Sequence, residues 1–333
     1  MYDYGLSVLE QYGLEADAAR RGRGALICET KQGPKIIREF KGSGEKLKQL
    51  YRLQLHIKES GGLPLDCVMK NQQEELISLD RDGIAYVVRD WFEGRECDTK
   101  SRRDILECVK VMARLHNVMC LPPVNKYRKE SLSEECSRHN REIRKTGVYI
   151  RKKKNRNEFE RKLQECLADF LWQGEKMVKD LEHSGYAQLY EKEGERGSVC
   201  HGDCNQHNFL MTEKGPVLVN YEKWNYDCQT ADLFQFMRKI LEKHNWNVSL
   251  GQDMILAYHQ EKTLTAQEVE NLRLRLSYPW KFWKLVNHYA SSSKPWISVR
   301  NLEKLDVLIK QRCSWAEFIK KCFSDSFFRR FGI

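Results

Sequence analysis

The stretch His201-Gly202-Asp203-Cys204-Asn205-Gln206-His207-Asn208-Phe209-Leu210 constrains this chain more than any other. It sets Asp203 and Asn208 five residues apart in a polar loop and runs straight into the apolar Phe209-Leu210-Met211. Thr212-Glu213-Lys214-Gly215 has turn composition, and Pro216-Val217-Leu218-Val219 reads as a second short strand. The far end of that hairpin presents Asn220-Tyr221-Glu222, and Asp232-Leu233 then opens an apolar helix. The His-Gly-Asp triplet alone is weak, since any polar loop before a hairpin could carry it. The full set of spacings is much more specific.

Phosphoryl transfer is the chemistry that uses such a layout. A loop Asp orients the acceptor hydroxyl, a loop Asn holds a magnesium ion, and an Asp after the second strand holds the metals. Here the third position is Asn220, which is neutral. The segments before the loop extend the same expectation. Residues 6 to 19 predict a short amphipathic helix with Leu6, Leu9 and Tyr12 on one side. Gly22 and Gly24 lie in a loop that could cover a triphosphate with its backbone N–H groups, or be a plain connecting turn. Leu26–Thr30 and Lys35–Phe40 read as a hairpin. Within it Arg38 takes the place of the lysine that kinases use to pair the phosphates, with Glu45, early in a helix over 44 to 60, as its expected carboxylate.

Further strands are expected at 67–69, 76–79 and 84–91, the last two joined by an Asp82-Gly83 turn. The pattern breaks at Trp91-Phe92-Glu93-Gly94, so the lobe boundary is drawn there: a mixed lobe over 1–94 and a helical lobe over 95–333. Ser101 with Asp104 has the form of a helix start. His116 reads as a core histidine, and apolar stripes mark helices near 157–183 and after Asp232. The aromatic segments 277–285 and 294–297 could cage a quaternary ammonium, but core packing is the favoured reading.

Composition sets the remaining bounds. No apolar run approaches the roughly 20 residues that span a bilayer, and the N-terminus lacks signal-peptide features, so cytoplasmic synthesis is expected. None of the twelve cysteines forms a C-x-x-C pair, so buried thiols are expected rather than zinc. The net charge is +10, and eleven Lys/Arg against three acids lie between Arg138 and Lys162. That run reads as a solvated helical hairpin with a basic tip, on which reversing Lys152, Lys153 and Lys154 to Glu should leave folding nearly unchanged. Nucleic acid is not an expected partner, because base-stacking aromatics are few there.

The H-G-D-x-x-x-x-N loop, the Ala113–His116 run and Asp232-Leu233 resemble the aminoglycoside phosphotransferase and choline kinase superfamily. The segments 90–98, 149–154, 220–224, 236–239 and 278–283 are similar, within it, to CotS-type spore coat proteins. The resemblance implies an α+β, protein-kinase-like two-lobe fold with a small antiparallel-sheet lobe and a larger, mainly helical one. It implies synthesis in the mother cell, then a place in the spore coat among other coat proteins. By position, Asp203 would be the catalytic base, Asn208 a magnesium ligand and Asp232 a structural carboxylate. Asn220 would replace the metal-binding Asp, with Glu222 as a substitute. ATP and magnesium are the implied cofactors. A coat component with weak or no phosphotransfer is the first expectation, and an active ATP-dependent small-molecule kinase is the second.

Overall fold

The computed structural model describes residues 5–291, 299–324 and 326–328. Two compact units account for the chain. The first comprises residues up to 122, 198–225 and 257–262, and the second comprises 123–197, 226–256 and 263 onward.

The first unit opens with a 3-10 turn over Leu6–Tyr12, flanked by left-handed Gly5 and Gly13. The expected helix to residue 19 is therefore cut short, and β1 (Ala16–Gly22) follows instead. That strand lies at the sheet edge with most side chains in water, so it carries no apolar alternation to reveal it. Next come β2 (Ala25–Thr30), β3 (Lys35–Glu39), α1 (Gly44–Gly61), β4 (Ser78–Leu79) and β5 (Ala85–Asp90). They pair as an antiparallel sheet in the order β1-β2-β3-β5-β4. The α1 stripe of Leu47, Leu50, Leu53 and Ile57 is buried as the sequence pattern predicts.

Alternation along the central strands gives this sheet two dry faces. Cys28, Ile37, Tyr86 and Val88 pack against Val8, Leu9 and Tyr12. Their strand neighbours Ile27 and Ile36 point the other way, into Trp91, Leu210, Val217 and Val219. Leu210 and Val217 belong to a second sheet, β6 (Arg95–Glu96), β8 (Phe209–Thr212) and β9 (Gly215–Leu218), reached through α2 (Arg102–Val118) and, after the second unit's helices, β7 (Val199–Cys200). Ser101 Oγ caps α2 by accepting from the Asp104 N–H. His116 is a core histidine as expected, its Nδ1 2.7 Å from the Tyr258 hydroxyl.

The second unit is helical: α3 (Leu132–Lys152), α4 (Glu158–Glu182), α5 (Tyr186–Arg196), α6 (Thr230–Lys243), α7 (Val248–Glu261, its last turns in the first unit), α8 (Ala266–Ser277), α9 (Trp280–Ser291), α10 (Val299–Lys310) and α11 (Arg312–Cys322). Tyr278, Trp280 and Phe282 are core, with Phe170 and Phe282 stacked at 4.4 Å; the segment 294–297 lies outside the described residues. Helices α3 and α4 form the expected basic-tipped hairpin, but one of its lysines departs from the reading. Lys153 Nζ lies 2.5 Å from Glu160, a carboxylate only 1% exposed, so this lysine is part of the packing while Lys152 and Lys154 remain exposed.

Ten of the twelve thiols are buried, Cys120 is half-buried and Cys313 is exposed. Burial pushes Cys28 up to about 11 and Cys166 to about 12, which keeps them protonated.

Candidate active site

The loop after β7 is held by its own first residue. His201 is fully buried, accepts at Nδ1 from the Asp203 N–H (3.2 Å) and lies 3.0 Å at Nε2 from the Val219 carbonyl. Only the tautomer with the proton on Nε2 satisfies both contacts. Gly202 has φ +80, and a Cβ there would stand 2.2 Å from the Lys223 carbonyl oxygen, so a side chain would force the loop off the segment after β9.

Asp203 is half-buried, with one carboxylate oxygen 2.9 Å from Lys223 Nζ and the other 3.1 Å from the Asn205 amide. Asn208 is buried and donates its amide to the Asp203 carbonyl at 2.9 Å. Its side-chain oxygen accepts from the Asn220 amide at 2.9 Å. The structure thus brings Asp203, Asn208 and Asn220 together, as their spacing predicts. Asn220 itself is left-handed (φ 69, ψ 57), a conformation that Asn tolerates better than most residues. Its N–H donates to Asp66 Oδ2 at 2.8 Å.

Asp66 begins a chain of charges. It is fully enclosed, and burial raises its carboxyl to about 6 despite the Arg89 guanidinium 3.5 Å away. Arg89, on β5, also reaches Glu222 at 3.2 Å, and Glu222 takes Arg38 at 3.1 Å. Arg38 is therefore tied to Glu222, while its expected partner Glu45 sits exposed in the first turn of α1. Arg38 does lie in β3, but its carboxylate comes from 184 residues along the chain rather than seven.

Gly22 closes β1, and Arg23-Gly24 forms the two-residue turn to β2 with φ of 58 and 68. Two successive positive φ values make this the primed turn of a tight hairpin. Arg23 is strained there, and its guanidinium is anchored at both ends of the fork: Nη1 donates to the His207 carbonyl at 2.5 Å, and Nη2 meets Glu96 at 2.6 Å. Arg38 in turn donates to the Arg23 carbonyl at 3.2 Å. The glycine turn is pinned to the Asp203–Asn208 loop by the side chain at its own tip. Sequence reading missed Arg23, Glu96, Arg89, Asp66 and Lys223. The one signal was an Arg at a turn position that favours Asn or Asp.

Would magnesium suit this donor set? Asn208 and Asn220 supply neutral amide oxygens, and that of Asn208 already accepts a hydrogen bond. Glu222 is occupied by two guanidinium groups. Among the described residues no group of three or more His, Cys, Asp or Glu converges as a cation site. A hard dication favours carboxylate oxygens, so these residues fit it poorly. Asp232 is fully buried in the first turn of α6, in the second unit.

Comparison with known proteins gives these features a family. The sequence model described as Spore coat putative kinase YutH matches residues 6–322. The chain belongs to that family. It is 20% identical over 308 residues to Spore coat protein S of Bacillus subtilis (strain 168), covering 91% of this chain and 87% of that protein. Among solved structures, an aminoglycoside phosphotransferase from Alicyclobacillus acidocaldarius superposes with a TM-score of 0.84 at 16% identity, over 97% of this chain and 95% of that one. A spectinomycin phosphotransferase in complex with ADP and spectinomycin gives 0.63 at 10% identity, covering 97% of each chain. The fold is kinase-like, with an N-terminal five-stranded antiparallel sheet and a mostly helical remainder. No helix among the described residues is long and apolar enough to cross a membrane.

Proposed function

We propose that this protein is a structural component of the spore coat whose kinase-like scaffold serves binding and assembly, with weak or no phosphotransfer. It is made in the mother cell and joins other coat proteins. The observation that carries this reading is the Asn220–Asn208 amide pair. Where a phosphotransferase needs an anion to hold metal against the phosphates, this chain has two amides bonded to each other. The Asp203–Lys223 ion pair adds to it, because a base held by an ammonium is less able to orient a substrate hydroxyl. Solved structures of this fold carry ADP or AMP-PNP, and by their positions in the sequence Gly22, Gly24 and Arg38 are the residues assigned to such a nucleotide. ATP is therefore expected to bind with little dependence on magnesium.

The test is ATP turnover with and without magnesium, alongside the shift in melting temperature with ATP. The expected result is a nucleotide shift nearly independent of magnesium, turnover near background, and no further loss in Asp203→Ala. Asn220→Asp should make the shift magnesium-dependent. Brisk magnesium-dependent turnover by the natural protein, abolished by Asp203→Ala, would overturn the scaffold reading and establish an ATP-dependent small-molecule kinase. Loss in Glu222→Gln as well would identify Glu222 as the missing carboxylate.

A further inference from the structure

On the α1 side of β3 and β5 the first unit holds a cavity of about 280 Å³ that shares only Arg38 and Glu222 with the phosphoryl-transfer reading. Its mouth is the β3–α1 connection, Phe40 to Ser43, and its floor is Leu47 and Leu50, both under 5% exposed. Trp224 closes one wall. Four cations line it, Arg38, Lys41, Lys46 and Arg89, against two acids, Glu39 and Glu222. Three of the four are committed: Lys41 to Glu39 at 3.0 Å, and Arg38 and Arg89 to Glu222.

Lys46 is different. The contact its ammonium makes is with the face of Trp224, 5.4 Å from the ring centroid. It lies one turn inside α1, whose N-terminus favours negative charge. Burial lowers its pKa, as it does for an ammonium removed from water without an anion beside it. A half-buried cation, a helix N-terminus and a floor of leucine beside an indole define both ends of a ligand.

We propose that this cavity binds a small aromatic phosphomonoester, its phosphate held by Lys46 and Arg38 and its ring lying between Trp224 and Leu47-Leu50. The volume suits a single ring and its phosphate, not a nucleotide triphosphate. Recognition follows from charge at one end and an apolar surface at the other. Because Glu222 already holds Arg38, an arriving phosphate competes with Glu222 for that guanidinium. Occupancy of this cavity therefore bears on Glu222, which Arg89 links to Asp66 beside Asn220.

Phenyl phosphate is the probe, titrated calorimetrically against the full chain, with phenol and inorganic phosphate as its two halves. Phenyl phosphate should bind at least tenfold more tightly than either half. Lys46→Gln should weaken it about tenfold, the usual scale for losing a charge-assisted contact, while its melting temperature stays near that of the natural protein. Mass spectrometry after reductive methylation of the unmodified protein gives a variant-free check, since phenyl phosphate should protect Lys46 selectively. Equal affinity in Lys46→Gln, inorganic phosphate binding as tightly as phenyl phosphate, or unchanged Lys46 methylation would each overturn the site. These outcomes do not depend on whether ATP binds or turns over, because Lys46 lies outside the Asp203–Asn220 cluster.

Discussion

In the first unit, charge runs from Asp66, with no exposure, through Arg89 to Glu222, whose side chain is 44% exposed, and on to Arg38 at 25%. In the second, Asp227 and Arg275 meet at 2.9 Å with side-chain exposures of 7% and 5%. Asn271 Oδ1 accepts from both Arg275 and Thr230, which keeps that network inside the core. The first network is built to end at a surface that a ligand could reach, and the second is built to end nowhere. Enclosure makes the second costly to break, because a charge left alone there has no water to turn to. Openness makes the first cheap to break, and therefore free to exchange partners.

That contrast predicts very unequal mutational effects. Arg275→Met should destabilise the protein by about 3–5 kcal/mol in urea unfolding, the range for removing one partner of a buried pair. Arg38→Met should cost no more than about 1 kcal/mol, as for an exposed pair. Comparable losses in the two variants would erase the distinction between an open and a closed network.

A pH titration of stability probes the enclosed side in another way. His139 is 1% exposed, stacked on Trp283 at a ring distance of 3.5 Å and set edge-on to Trp280. Burial, helped by the Arg138 charge, lowers it to about 4 from an ordinary value of 6.5. The folded state thus favours the neutral ring. Its contribution is complete above pH 6.5 and is lost as the pH falls from 6.5 through 4. The size is on the order of 2–3 kcal/mol, and His139→Gln should flatten that part of the stability curve. A wild-type profile that is already flat between pH 6.5 and 4 would show that water reaches the ring.

At the basic tip, closed and open contacts sit side by side, and the smallest effect of all is expected there. Lys153→Glu places a second carboxylate against buried Glu160 and should cost about 1–3 kcal/mol, whereas Lys154→Glu should change stability by less than about 0.5 kcal/mol. Thermal melts of the two single variants decide it, and equal shifts would mean that the Lys153–Glu160 contact contributes nothing.

The same contrast explains what could be read in the sequence. The hairpin around Thr212–Gly215, the α1 leucine stripe and the Asp203–Asn208–Asn220 grouping are local or periodic, so spacing alone exposes them. Strand β1 escaped because an edge strand in water has no reason to alternate. Arg23, Arg89 and Asp66 escaped for another reason: their partners lie 23 to 184 residues away, and single charged residues carry no period. Arg38 shows both sides. Its place in β3 is legible, yet the first acid of the following helix, Glu45, is not its partner in space. Lys153 reads as solvated because a run of four basic residues looks alike from one position to the next.

The distribution of thiols sets a limit on covalent assembly. A folded copy with ten buried cysteines, Cys120 half-buried and Cys313 exposed has, at its surface, a valence of one. Oxidation through Cys313 joins it to a single neighbour and then stops, because a disulfide consumes the thiol that made it. Such a subunit is an end-group in polymer terms. It can cap a cross-linked mesh, but any layer it helps to extend must grow through contacts that need no sulfur.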